Sequence, residues 1–282
     1  MDTALAPRAT NATSDAALMQ LWISGKSAAT QSAYGTAIRQ FQAFAGKDLA
    51  AVGAEDLQAW VAQLQQHYAP ESVRTKVHAL KSLLSYAQRI GYLRYNVGTA
   101  IAAPKGKDEL AARIPAEGDV RQLIEGTTNP RDRVLLSLLY GCGLRVSEVC
   151  GLDWHDLQGR NRGGQATVYG KGRKTRVVLV PSKLWEALMQ LPRRGEAVFA
   201  SRSGQRLDRM RVHRIIKAAA QAAGITPAIS THWLRHAHAT AAIERGCELH
   251  LLQQSLGHAS LAVTSKYLHA RPERGSSEFV EL

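Results

Sequence analysis

The chain has 282 residues, 45% of them hydrophobic, which is enough for ordinary packed cores and long enough for two domains. Lysine and arginine number 36 against 23 acids, a net charge of +13 with a pI near 10.0, and an excess of that size fits a polyanionic partner such as nucleic acid. Three scattered cysteines exclude a disulfide framework, no apolar run reaches the ~18 residues of a membrane span, and the N-terminus lacks a secretory pattern, so a cytoplasmic chain is expected.

The positive charge is uneven: residues 1–112 carry a net +3 and residues 113–282 a net +10. Residues 1–14 are mostly small or polar and read as a flexible tail. Apolar residues at helical spacing then predict helices over 15–23, 28–46, 54–67 and, from Pro70, to about Ile90, with Gly46 and Gly91 as stops. Three or four amphipathic helices joined by short connections make a small helical bundle, placed here at residues 15–105. Arg74, Lys76, Lys81, Arg89 and Arg94 fall on polar positions in and after its last helix, as a solvated face or as a DNA-facing surface. Residues 106–112, after Pro104, have the small-residue and charged composition of a linker.

The second domain is placed at 113–282. Helices are expected near 117–125 and 131–140, the latter apolar nearly all round and therefore a core helix. After G-C-G, the segment L-R-V-S-E-V-C-G-L begins a further helix. Between Gln165 and Pro181 the period changes: A-T-V-Y and T-R-V-V-L-V flank G-K-G-R-K, one β-hairpin with Lys171 at or beside its tip. Helices follow at about 182–191, 208–223, 230–245, 248–256 and 260–268. The fold class is thus mainly α, with a small hairpin or sheet in the second domain.

The densest chemistry lies between Ser230 and His269, where His232, Arg235, His236, His258 and Tyr267 stand among helical apolar residues. Ser230 has the character of an N-cap whose hydroxyl accepts a backbone N–H, and the helix it starts would carry His232, Arg235 and His236 on one face. Arg145, held after a tight glycine turn, and Arg235 could each fork onto a phosphate, or each could form a structural ion pair. Lys171 is either a solvated loop lysine or a proton donor to a leaving oxygen. His232 and His236 have a metal-compatible H-x-x-x-H spacing, but position 233 is Trp and no acidic third ligand stands nearby, so no metal is expected. His258 precedes a short helix that Ser260 would cap, and Tyr267 is a packed core tyrosine or a nucleophile.

Taken together, G-L-R-V-S-E, G-K-G-R-K-T-R, H-W-L-R-H and L-G-H-A-S-L-A-V-T-S-K-Y resemble the signature boxes of the tyrosine recombinases, the phage-integrase family, in order and spacing across residues 113–269. Residues 15–105 resemble, more loosely, that family's SAM-like core-binding domain. The resemblance implies Tyr267 as a nucleophile forming a 3′-phosphotyrosyl link, and Arg145 and Arg235 as clamps on the phosphate oxygens. It further implies Lys171 as the acid for the 5′ oxygen, His232 as an aid to proton transfer at the tyrosine and His258 as a phosphate contact. Glu148 would brace the arginine segment, and His236 would be structural.

No cofactor is implied, since the phosphotyrosine bond conserves the energy needed for religation. The implied partners are double-stranded DNA and further copies of the chain, four on two recombination sites, with room for a second recombinase or an accessory motor protein. The compact length is most similar to Xer-type members that resolve chromosome or plasmid dimers. A mobile-element or phage integrase, a type IB topoisomerase and a DNA-binding regulator on the same fold are the alternatives. The apolar end, Phe279, Val280 and Leu282, is expected to dock into a neighbouring protomer. Deleting residues 275–282 should then leave DNA binding in a mobility-shift assay intact and impair strand exchange; full recombination by the truncated chain would rule the docking out.

Overall fold

The computed structural model describes residues 9–104, 114–170, 175–225 and 229–258, together with 260, 264, 265 and 267. The chain divides into two compact units, Met1–Lys107 and Asp108–Leu282. The expected linker at 106–112, the helix at 260–268 for the most part, and the C-terminal tail lie outside the described residues.

The first unit holds α1 (Asp15–Ser24), α2 (Ala28–Ala45), α3 (Ala54–His67) and α4 (Pro70–Arg89). Their ends follow local chemistry. The hydroxyls of Ser14 and Ser27 accept the N–H groups of Ala17 and Thr30, Pro70 opens α4 where no N–H is needed, and Gly46 closes α2 in the left-handed region at φ 62°. The core packs Leu18, Ile38, Phe41, Leu57, Trp60, Val77, Leu80 and Leu84, with the Phe41 and Trp60 rings edge-to-face at 5.1 Å. Asp15 joins distant segments, accepting the Leu49 N–H and the Tyr92 hydroxyl at 2.8 Å each.

Part of the expected tail belongs to this bundle. Ala9 donates its N–H to Ile90 O at 3.0 Å, Ala12 is buried in the core, and Ser14 is the cap of α1, so two hydrogen bonds and one buried alanine tie residues 9–14 to the bundle although most of them are exposed. The basic residues are engaged within the unit. Lys76 donates to Gln40 and lies over the Tyr68 ring, Lys81 donates to Ile101 O, and Arg89 and Arg94 lie over Tyr86 and Tyr95.

The second unit contains α5 (Glu117–Glu125), α6 (Pro130–Gly141), α7 (Val146–Gly151), α8 (Ser182–Met189), α9 (Arg209–Ala222), α10 (Thr231–Glu244) and α11 (Leu249–Leu256). The α6 helix is the apolar centre, with Val134, Leu135, Leu136, Leu138 and Leu139 buried. The hairpin is part of a three-stranded antiparallel sheet, β1 (Leu157–Gly159), β2 (Gly164–Tyr169) and β3 (Thr175–Val180), in that order. The sequence reading missed β1 because three residues give no alternation to read. In β2 and β3 the inward face is Gly164, Ala166 and Val168 opposite Val180, Val178 and Arg176. Val177 and Leu179 face outward and are exposed.

Ser230 occupies the cap position of α10, but its hydroxyl caps no N–H; its carbonyl starts the helix by accepting from Trp233 N at 3.1 Å. Cys142, Cys150 and Cys247 are free thiols. No helix among the described residues is long and apolar enough to cross a membrane.

Gly164 lets α8 close on the sheet, because a Cβ there would overlap the Trp185 indole. Gly164→Ala should therefore lower stability by ~1–3 kcal/mol in a denaturant melt, as overpacking does. Gly151→Ala, which meets open space at the end of α7, should leave stability unchanged or raise it by up to ~1 kcal/mol.

Candidate active site

The site begins where α6 ends. Gly143 turns the chain at φ +60°, and a Cβ there would strike the side chains of His238 and Leu256. The turn delivers Arg145 to the N-cap of α7. Glu148, 3% exposed, then holds that arginine twice: its Oε2 accepts the Arg145 N–H at 2.8 Å and its Oε1 accepts Nη1 at 2.9 Å. The same carboxylate accepts both terminal nitrogens of Arg176 from β3, at 2.6 and 2.9 Å. Burial pushes the Glu148 carboxyl up, but hydrogen bonds from Arg176 and the Arg145 N–H, with the charge of Arg176, outweigh it and hold its pKa below 4.5.

The C-terminal turn of α11 faces these arginines. Ser255 O accepts Arg176 Nε at 2.7 Å, Leu256 O accepts a terminal nitrogen of Arg235, and Gly257 O accepts Arg145 Nη2 at 3.2 Å. Arg235, 2% exposed, also donates to Gly143 O. Burial and then the nearby Arg145 charge pull its pKa down to about 10, which leaves it cationic at neutral pH. Gly257 ends α11 at φ +64°, and a Cβ there would press on the Arg176 side chain at 3.1 Å.

Tyr267 is 5% exposed and packs with Ala239, Leu252 and Leu256. Its hydroxyl lies 2.6 Å from His236 Nδ1. Burial raises its pKa, opposed by the charges of Arg235 and Arg145. His258 lies with its ring stacked 6.3 Å from that of Tyr267, and its Nδ1 is 2.8 Å from Thr264 Oγ1. Burial, then Arg235 and Arg145, bring its pKa down to about 4. His232 is exposed, yet partial burial, followed by the charges of Arg235 and Arg145, lowers its pKa as well. Its ring meets that of His236 edge-on at 4.1 Å. His238 lies against Gly143, and burial brings its pKa down to about 4.

Five of the six expected residues, Arg145, His232, Arg235, His258 and Tyr267, are therefore brought together. Lys171 lies outside the described residues. Two further residues belong to the group. Alternation puts Arg176 on the same face as Val178 and Val180, but both faces of β3 are apolar, so the sequence alone does not show that this face is the inward one. His236 was on the expected helix face, but nothing in the sequence pairs it with Tyr267.

The phage integrase family model matches residues 116–274, and that of the phage integrase N-terminal SAM-like domain matches residues 15–90. The chain belongs to the phage integrase family. It is 35% identical over 265 residues to tyrosine recombinase XerC of Pelobacter propionicus, covering 87% of this chain and 86% of the relative. It is 32% identical to tyrosine recombinase XerD of Bifidobacterium longum, covering 79% of each. Two solved structures share the fold. XerH recombinase bound to its palindromic difH substrate after cleavage has a TM-score of 0.76 at 19% identity, covering 95% of this chain and 84% of that one. A lambda integrase (75–356) dimer on a COC′ core site has a TM-score of 0.76 at 18% identity, covering 92% and 97%.

Glu148 gives the site a pH signature. Its folded pKa lies below the unfolded value, so its stabilisation is fully present above about pH 4.5 and is lost as pH falls through the folded pKa. Glu148→Gln should cost ~3–5 kcal/mol at pH 7 by leaving buried charge uncompensated. The gap to the unsubstituted chain in thermal melts should shrink below pH 4.5. A constant gap from pH 7 to pH 3 would contradict the carboxylate's role.

Proposed function

We propose that this family member is a site-specific tyrosine recombinase of the Xer type, which breaks and rejoins DNA strands through a 3′-phosphotyrosyl bond. The observation that carries the reading is the convergence of two guanidiniums, from α7 and α10, on the surroundings of one buried phenol. Relatives named XerC and XerD that span most of the chain favour the Xer type over a mobile-element integrase or a type IB topoisomerase.

In this reading Arg145 and Arg235 clamp the non-bridging oxygens of the scissile phosphate and neutralise the charge that grows in the pentacovalent transition state. Tyr267 attacks phosphorus and the 5′ oxygen departs with a proton from Lys171. His258 contacts the phosphate, and His232 assists proton transfer on the tyrosine side. The 5′-hydroxyl of another strand then attacks the phosphotyrosine and releases Tyr267, with no nucleotide cofactor. No step requires a metal, because guanidinium charge does the work of one.

The partner is double-stranded DNA, with four copies of the chain on two sites. A lambda integrase tetramer bound to a Holliday junction shares the fold at a TM-score of 0.71. A DNA substrate supports the reading that the chain works in the cytoplasm.

A DNA duplex nicked next to the cleavage position, so that the released strand diffuses away, tests the reading. The unsubstituted chain should accumulate a covalent adduct on a denaturing gel, in EDTA as well as without it, and Tyr267→Phe should give none. An undiminished adduct from Tyr267→Phe would overturn the nucleophile, and loss of the adduct in EDTA would overturn the metal-free reaction.

A further inference from the structure

An unactivated phenol is a weak nucleophile, and here burial makes Tyr267 harder still to ionise. Its proton needs an acceptor within hydrogen-bond reach. Three histidines belong to this cluster, two of them beside the tyrosine ring. His258 Nδ1 is taken up with Thr264 Oγ1. His232 stands one helical turn before His236, in edge contact with that ring. The hydrogen bond to the phenol is made by His236, at 2.6 Å from Nδ1.

Building on the recombinase reading, we infer that His236 is the immediate proton acceptor for Tyr267, with His232 acting on the tyrosine only through His236. As the neutral tautomer with its proton on Nε2, His236 accepts the Tyr267 O–H at Nδ1. On attack the O–H bond breaks, its proton passes to Nδ1, the phenolic oxygen bonds to phosphorus and the bond from phosphorus to the 5′ oxygen breaks. On religation the 5′-hydroxyl gives its proton back to the acid that had protonated the 5′ oxygen and bonds to phosphorus, the bond from phosphorus to the phenolic oxygen breaks, and the imidazolium returns its proton to the released Tyr267 oxygen.

The surroundings make this transfer depend on DNA. Burial, followed by His232, Arg235 and His258, brings the His236 pKa down to about 4, so the free protein holds a neutral imidazole beside a protonated phenol. The groups that oppose an imidazolium are thus burial and, among the neighbours, the standing positive charge of Arg235, since the two other imidazoles are themselves neutral. A phosphodiester seated on Arg145 and Arg235 brings a negative charge into the same space and favours the imidazolium. The nucleophile would then be activated only with the scissile phosphate in place.

The test is single-turnover cleavage of the nicked duplex. His236→Asn keeps a polar atom near the Nδ1 position but takes up no proton, and should cleave on the order of 10²–10⁴-fold more slowly with DNA affinity unchanged. Replacing Tyr267 with a fluorinated tyrosine of lower phenol pKa should restore much of that loss, since a more acidic phenol needs less help from a base. His236→Ala should regain cleavage on addition of free imidazole, which covers the case of a poorly folded Asn variant. Cleavage by H236N at the unsubstituted rate, or loss rescued by neither the fluorinated tyrosine nor imidazole, would overturn the inference. An adduct formed by Tyr267→Phe would instead overturn the nucleophile, and the inference with it.

Discussion

Three consecutive carbonyl oxygens at the end of α11 organise the catalytic unit. Ser255, Leu256 and Gly257 each receive a different arginine: Arg176 from β3, Arg235 from α10 and Arg145 from α7. A helix C-terminus leaves its last carbonyls without helical partners and carries partial negative charge. Cations are therefore welcome there, and the unpaired acceptors are satisfied by the same bonds that aim the guanidiniums. Gly257 permits the arrangement by turning the chain at φ +64° directly beside the Arg176 side chain.

This coupling explains why residues so far apart in sequence act as one site. Arg145 and Arg176 share the two oxygens of Glu148, so helix α7 and strand β3 cannot shift independently. Arg235 binds Gly143 O at the turn that launches Arg145 and Leu256 O at the end of α11, closing the circuit. Charge-assisted bonds of this kind are short and directional, which suits a site that must hold two forks in fixed register. The apolar helix α6 anchors it, since the Gly143 turn follows directly from its buried end.

Much of the fold was legible because helix boundaries here obey strong local rules. Pro70, Gly46 and the apolar spacing of α3 place their helices almost to the residue, and the apolar α6 read correctly as core. What escaped depended on long-range partners. The run T-R-V-V-L-V is apolar on both faces, so only pairing with β2 shows that Arg176 turns inward while Val177 and Leu179 face out. Residues 9–14 looked like a tail because small polar residues carry no period, although Ala12 finds a place in the core. His236 read as structural because its partner, Tyr267, lies 31 residues away and no local pattern joins them.

The charge count of the finished site decides what it is built to receive. Arg145, Arg176 and Arg235 surround one carboxylate, Glu148, and the three neighbouring histidines are held neutral in the free protein by lowered pKa values. The cluster is left with a net charge of two positives in a partly buried space, with Arg235 and Glu148 inside and Arg145 and His232 reaching solvent. A phosphodiester contributes one negative charge in the ground state and gathers a second as it becomes pentacovalent under attack by a phenolate. The second negative charge develops beside the guanidiniums of Arg145 and Arg235 while the proton lost by Tyr267 is held on His236, so the electrostatic gain falls on the transition state and not on binding alone. A tyrosine kept protonated until that charge arrives completes the scheme, because an anionic phenolate formed earlier would compete with the phosphate for the same two guanidiniums.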